Sequence, residues 1–115
     1  MINIQHKLKD RVIISRLFKK GTKEKVAPIL LLSLNNNYET VLFSVSKKNI
    51  PKAVDRNKIK RQMRAIFFNN RRLLNNIKRP KAMAFIYLEK STVEYSKILS
   101  SMITILKNIN GNEKY

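Results

Sequence analysis

The residues best suited to chemistry in this sequence are cations, and they are concentrated in the middle of the chain. Between Lys47 and Lys81 there are thirteen lysines and arginines, whereas Asp55 is the single acidic residue. This segment therefore holds most of the formal net charge of +18. Like charges crowded on a small body repel one another until a partner neutralises them, so we expect the partner to be a polyanion, with nucleic acid as the default.

The cations also segregate on one long predicted helix, which extends from about residue 53 to residue 70. On a helical wheel, one sector of this helix is apolar and would pack against a sheet. The apolar sector contains Ile59, Met63, Ile66 and Phe67. An adjoining sector is basic and contains Arg56, Lys60, Arg64 and Arg71. Asn57 and Arg61 lie beside this basic sector. Like charges at this spacing destabilise an isolated helix. We therefore interpret the sector as a polyanion-binding face rather than an ordinary solvated face.

A catalytic site made of side chains is hard to build from this sequence. The chain has no Cys, and its one histidine, His6, has no partner at metal-ligand or acid–base spacing. The seven acidic residues are scattered, and the two glycines cannot form a phosphate-binding loop. We therefore predict no catalytic residue and no metal site in the protein.

Hydrophobic periodicity predicts an α+β fold in the order α-β-β-α-β-α, with a mixed sheet covered by helices. The expected elements are a helix over residues 12–19, a β-hairpin of strands 26–34 and 38–46, the basic helix, a strand over 82–88 and a last helix to about residue 109. Gly21 and Gly111 are expected to end the first and last helices. Ser91 and Glu94 match a capping box at the start of the last helix.

The length of 115 residues allows one packed core. We expect residues 1–115 to form a single domain, with mobile ends at residues 1–8 and 111–115. No apolar run has the length of a signal peptide or a membrane span. This favours a cytoplasmic location and no membrane partner.

The nine residues from Arg56 to Arg64 read Arg-Asn-Lys-Ile-Lys-Arg-Gln-Met-Arg. This string resembles the motif of the bacterial ribonuclease P protein component, written Arg-Asn-x-x-Lys-Arg-x-x-Arg. Residues 43–48, Phe-Ser-Val-Ser-Lys-Lys, resemble the strand end and basic loop that precede this helix in the family. Residues 17–22, Leu-Phe-Lys-Lys-Gly-Thr, resemble the end of its first helix. The order of elements is similar too, so the resemblance covers nearly all of the chain.

The resemblance implies a small α+β RNA-binding domain with a left-handed β-α-β crossover around the basic helix. It also implies an accessory subunit of a ribonucleoprotein whose RNA, with magnesium, removes the 5′ leader from precursor tRNA. No further protein partner is required, and the protein itself holds no cofactor. The catalytic RNA would be bound by the basic loop and helix: Lys47, Lys48, Arg56, Asn57, Lys60, Arg61 and Arg64.

The resemblance further implies a cleft between the first helix and the sheet, where aromatic side chains bind the single-stranded leader. Phe18 occupies one such position, and Ile14, one helical turn earlier, occupies the other. Leu32 likewise stands where the family often has an aromatic residue. Phe43 could line the same surface, with core packing as its alternative role. Phe68 could stack on RNA or cover the sheet edge.

Three other functions fit parts of the sequence. A ribosomal or other structural RNA-binding protein would use the same basic helix. A metal-dependent nuclease acting alone would need converging carboxylates. Attachment to a membrane surface would need exposed apolar residues opposite the charge, but Ile59, Met63 and Phe67 are better used against a sheet.

Overall fold

The computed structural model describes residues 11–74 and 79–112, with side chains described as far as residue 109. Its elements are α1 (Arg11–Lys20), β1 (Thr22–Val26), β2 (Ile29–Asn35), β3 (Thr40–Val45), α2 (Ala53–Asn69), a 3-10 turn (Arg71–Leu74), β4 (Lys81–Tyr87) and α3 (Tyr95–Asn112). This is the predicted α+β class with one more strand than predicted. Of the ends predicted to be mobile, residues 1–8 and 113–115 lie outside the described residues, and residues 111 and 112 belong to α3.

The four strands form one mixed sheet in the order β1-β2-β4-β3. β2 is antiparallel to both β1 and β4, whereas β3 and β4 are parallel. Because α2 connects β3 to β4, these three elements form the predicted crossover around the basic helix; its left hand stays a prediction. The predicted hairpin of β2 and β3 is wrong, since β4 lies between them. The hairpin in the structure joins β1 to β2 through Ala27 and Pro28.

Hydrophobic periodicity does not predict β1, because β1 is a largely exposed edge strand with the polar sequence Thr-Lys-Glu-Lys-Val. Lysines on such an edge discourage pairing with another chain. One face of β1 is covered by α3: Asn108 Nδ2 donates to Glu24 Oε2 at 2.8 Å, and the Ser101 hydroxyl donates to the Val26 carbonyl. β1 is thereby fixed to the fold by polar contacts that hydrophobic periodicity does not register.

The sheet has a hydrophobic cluster on each face. The larger cluster packs against α2 and α3 and takes alternate residues of three strands: Ile29, Leu31, Val41, Phe43, Val45, Met83, Phe85 and Tyr87. The smaller cluster lies under α1 and contains Ile13, Leu17, Leu32, Ala82 and Ala84. Strands buried on both faces read as continuous apolar runs, which is why β2 and β4 were recognised as strands from their sequences.

α1 ends at Gly21, as predicted. The Gly21 N–H donates to the Leu17 carbonyl at 2.9 Å, and a Cβ at Gly21 would collide with that oxygen. Glycine is therefore required by close approach of the backbone to the last helical turn.

The predicted capping box before α3 is wrong. α3 begins at Tyr95, and the Glu94 carbonyl accepts hydrogen bonds from the N–H groups of Lys97 and Ile98 at 3.0 and 3.5 Å. Glu94 thus precedes the first helical turn instead of closing it, and Ser91 lies outside the helix. The helix also continues past Gly111 to Asn112.

Candidate RNA interface

α2 is seated on the protein by its predicted apolar sector. Ile59, Met63, Ile66 and Phe67 are all buried in the larger cluster. Phe67 packs against Phe85 of β4, with ring centroids 5.5 Å apart. The rotation of α2 about its own axis is therefore fixed, and so is the set of side chains that it presents to solvent.

The solvent side of α2 carries four exposed cations, Lys58, Lys60, Arg61 and Arg64. We call the three that belong to the motif, Lys60, Arg61 and Arg64, the cationic face. Asn57 is exposed beside them. Within the described part of the chain, the side chains of Lys60 and Arg61 form no hydrogen bond or ion pair. The Arg64 guanidinium lies over the Phe68 ring, 5.7 Å from its centroid. The cationic face is thus exposed to solvent, and its role in binding a polyanion stays a prediction.

Phe68 lies next to the cationic face. The sequence allows two roles for it, stacking on RNA or covering the sheet edge. It is partly buried against the larger cluster and meets Phe67 edge to face, with centroids 5.0 Å apart. Its contact with Arg64 is a cation–π interaction. The i, i+4 spacing of Arg64 and Phe68 on a helix is the signal that could have predicted this pair.

Arg56 differs from the other cations of the motif because it is half-buried and internally bonded. Its Nη1 donates to the carbonyls of Ile50 and Pro51 at 2.9 and 2.6 Å. On the helical wheel Arg56 falls between the directions of Met63 and Phe67, which point into the core. Arg56 therefore points to the core-facing side of α2, at the end of the helix that adjoins the loop from β3.

The basic loop, residues 46–52, connects β3 to α2 and carries exposed Lys47 and Lys48. Ser46 Oγ accepts hydrogen bonds from the N–H groups of Lys48 and Asn49 at 3.0 and 3.4 Å. The Ile50 N–H donates to the Ser46 carbonyl at 2.9 Å. Serine before a turn is a known sequence signal for such bonding. The loop presents both lysines from a hydrogen-bonded turn at the start of α2.

Arg71 does not belong to the basic sector, contrary to the prediction. α2 ends at Asn69, so the helical spacing that placed Arg71 beside Arg64 stops before it. Arg71 instead lies in the 3-10 turn and forms an ion pair with Glu39, with Nη2 and Oε2 2.6 Å apart. Both side chains are largely buried, being 22% and 18% exposed.

The predicted leader-binding residues lie on opposite faces of the sheet. Phe18 is 53% exposed on α1, and Ile14 is half-buried beside the smaller cluster. Leu32 is buried under α1. Of the two roles open to Phe43, the structure shows core packing and not the leader surface: it belongs to the larger cluster on the other face, stacked on Phe85 with centroids 5.6 Å apart. Since alternate strand residues point to opposite faces, Phe43 and the side chains under α1 cannot line one surface.

Across residues 11–74 and 79–112, no three side chains among His, Asp and Glu converge as metal ligands would. His6 lies outside those residues. No helix in the same ranges is long and apolar enough to cross a membrane.

The fold and the cationic face define a small basic α+β protein with an exposed cationic helix on a parallel crossover. The sequence model of the family described as Ribonuclease P matches residues 2–110. This chain therefore belongs to the ribonuclease P protein family.

Two similar proteins support that assignment. The ribonuclease P protein component of Chlorobaculum tepidum is 42% identical over 80 residues, which cover 63% of this chain and 49% of the relative. That of Pseudanabaena is 35% identical over 81 residues, covering 68% and 67%. The match thus spans about half the length of the first of these relatives and two thirds of the second.

Solved structures confirm the fold. The RNase P protein of Staphylococcus aureus superimposes with a TM-score of 0.74 at 28% identity, covering 90% of this chain and 94% of that one. The RNase P protein of Thermotoga maritima also gives 0.74, at 24% identity, covering 90% and 97%.

Proposed function

We propose that this protein is the RNA-binding subunit of ribonuclease P and assists removal of the 5′ leader from precursor tRNA. The observation that carries the proposal is the cationic face of α2, which is exposed, forms no ion pair among the described residues and is located on the family motif. The hydrolysis belongs to the catalytic RNA, whose bound magnesium ions would activate water. The alternative of a ribosomal RNA-binding protein accounts for the charge but not for the family.

The cationic face would act by screening phosphates that otherwise repel one another. Arg61 can bind a phosphate through two parallel N–H donors, whereas Lys60 acts as a compact point charge. Each phosphate that is neutralised releases condensed counterions, which favours binding most at low salt. The protein would thereby allow the catalytic RNA and the precursor tRNA, both polyanions, to approach closely.

The leader would bind beside α1. Phe18 offers an exposed ring on which a base can stack, a contact worth about 1–3 kcal/mol per base. Ile14 offers apolar contact without a ring, so we propose one stacked base here rather than two. Phe43 takes no part, because it is buried on the other face of the sheet.

Salt-dependent binding to a ribonuclease P RNA tests the proposed RNA interface. We expect Arg61→Ala to reduce the slope of log affinity against log salt by about 0.7–0.9, the value for one phosphate contact. Lys107→Ala is the matched control: Lys107 is also exposed, but it lies on α3 next to Asn108, which contacts β1 at the far edge of the sheet. Equal slopes for the wild type and Arg61→Ala would remove Arg61 from the interface.

A further inference from the structure

Arg56 bonds to the backbone that precedes its own helix. Its Nη1 donates to the carbonyl of Ile50 at 2.9 Å and to that of Pro51 at 2.6 Å. Its backbone N–H donates to the Lys52 carbonyl at 3.1 Å. Three consecutive carbonyls at the end of the basic loop are therefore held by one residue of α2.

These bonds complete a set of restraints along the whole loop. At its start, the Ser46 hydroxyl and carbonyl accept three backbone N–H groups. In its middle, Asn49 Nδ2 donates to the Leu88 carbonyl at 3.5 Å, beyond the end of β4. At its end, Ile50 is buried in the larger cluster. Only the last segment, through Pro51, depends on a side chain of the motif.

The hydrogen bonds of Arg56 also limit what it can offer to RNA. Nη1 carries two N–H donors, and both have a carbonyl acceptor within the protein. A bidentate phosphate contact through this nitrogen would require those bonds to break. Lys60 and Arg61 face no such competition within the described residues.

We infer that Arg56 is a positioning residue, which clamps the basic loop to α2 so that Lys47 and Lys48 form one rigid surface with the cationic face. The inference rests on the proposed function only for its consequence in RNA binding; the clamp is a property of the free protein. Its mechanism is the reach and fixed geometry of the guanidinium: both bonds come from Nη1, whose two N–H groups are held in the guanidinium plane and lie farther from the backbone than a lysine ammonium.

Arg56→Lys separates shape from charge, and Lys60→Ala is the matched control for a lost phosphate contact. In the free protein, we expect Arg56→Lys to raise hydrogen exchange of the Ile50 amide about tenfold, as local opening of the last segment of the loop would, because Ile50 carries one of the two carbonyls that Arg56 holds. Amides of β4 should stay protected, which shows that the protein remains folded. Lys60→Ala should leave the loop amides unchanged.

Binding to a ribonuclease P RNA gives the second readout. We expect Arg56→Lys to weaken binding severalfold with little change in the salt slope, whereas Lys60→Ala should lower the slope by about 0.7–0.9. Unchanged loop exchange in Arg56→Lys would overturn the clamp, as would wild-type RNA affinity in that variant. If the wild type does not bind the RNA at all, the proposed function fails, and hydrogen exchange still decides the clamp.

Discussion

At the scale of single residues, exposure decides which aromatic side chains can meet a base. Phe18 is 53% exposed on α1, whereas Phe43 is 9% exposed and stacked on Phe85. Phe18 therefore contributes little to the core and is free to stack. Phe43 contributes to the core alone, and its truncation would leave a cavity under α2.

Replacing Phe18 with Ala should reduce the preference for leader-bearing precursor over mature tRNA, because only the precursor supplies a base to stack. The loss should be about 5- to 150-fold, equivalent to about 1–3 kcal/mol, and Tm should hardly change. Affinities of the assembled enzyme for the two RNAs measure it. Val12→Ala, at another exposed position of α1, is the control. An equal loss of affinity for both RNAs would show that Phe18 is not a leader contact.

The residues of the site were predictable where helical geometry alone places them. Lys60, Arg61 and Arg64 follow from the spacing of a helix whose apolar sector is plain in the sequence. The internal bonds of Arg56 were not predictable, because they depend on the path of the loop before the helix. The burial of Phe43 needed one more fact, namely which face of the sheet α1 covers.

At the scale of elements, α2 is tied to its surroundings at both ends. Arg56 bonds to the loop before the helix, and Arg71 pairs with Glu39 next to β3 just after it. The crossover is thereby held in place while the cationic face between these ties stays exposed. The internal contacts and the proposed RNA contacts are thus assigned to different arginines.

Arg71→Ala should lower the free energy of unfolding by about 1–3 kcal/mol, because it leaves the Glu39 carboxylate largely buried without its partner. Urea unfolding measures this loss. Arg72→Ala, at the exposed neighbouring position, should cost much less. The salt slope of RNA binding should be the same in Arg71→Ala as in the wild type; a lower slope would return Arg71 to the RNA interface.

Tyr87, the last residue of β4, is a titratable group whose ionisation should lower the stability of the fold. Burial raises the pKa of Tyr87, and the Glu89 carboxylate raises it further. The hydroxyl donates to the Ser91 carbonyl at 2.6 Å. The folded state holds this proton more tightly than the unfolded chain does, so its contribution is complete below about pH 10 and is lost as the pH rises through the folded-state pKa.

We therefore expect Tm to fall above about pH 10, and to fall less steeply in Tyr87→Phe. Thermal unfolding of both proteins across this range checks the difference, since lysine deprotonation is common to both. Parallel profiles would contradict a role for Tyr87.

The elements that are most buried were the easiest to predict from the sequence. The predicted helix over 53–70 matches α2, Ala53–Asn69, within one residue, and both central strands were recognised. Pairing was not predictable in the same way: β2 and β3 are consecutive in sequence, but β4 is inserted between them. Local periodicity carries no information about which strands become neighbours.

At the scale of the whole molecule, a formal net charge of +18 is carried by 115 residues. The described residues contain one ion pair, between Arg71 and Glu39, so most of this charge is not neutralised internally there. The sequence predicted this property directly, because composition needs no fold. The fold determines where the charge is displayed, because α2 is rotated so that its apolar sector is buried and its cationic face points outward.

The most direct test of the account is reconstitution of 5′ maturation with a ribonuclease P RNA at physiological magnesium. We expect this protein to stimulate cleavage of precursor tRNA beyond an equally charged generic basic protein, and the combined variant Lys60→Ala, Arg61→Ala and Arg64→Ala to lose that stimulation. Stimulation no greater than that by the generic protein would contradict the account, as would cleavage by the protein in the absence of the RNA.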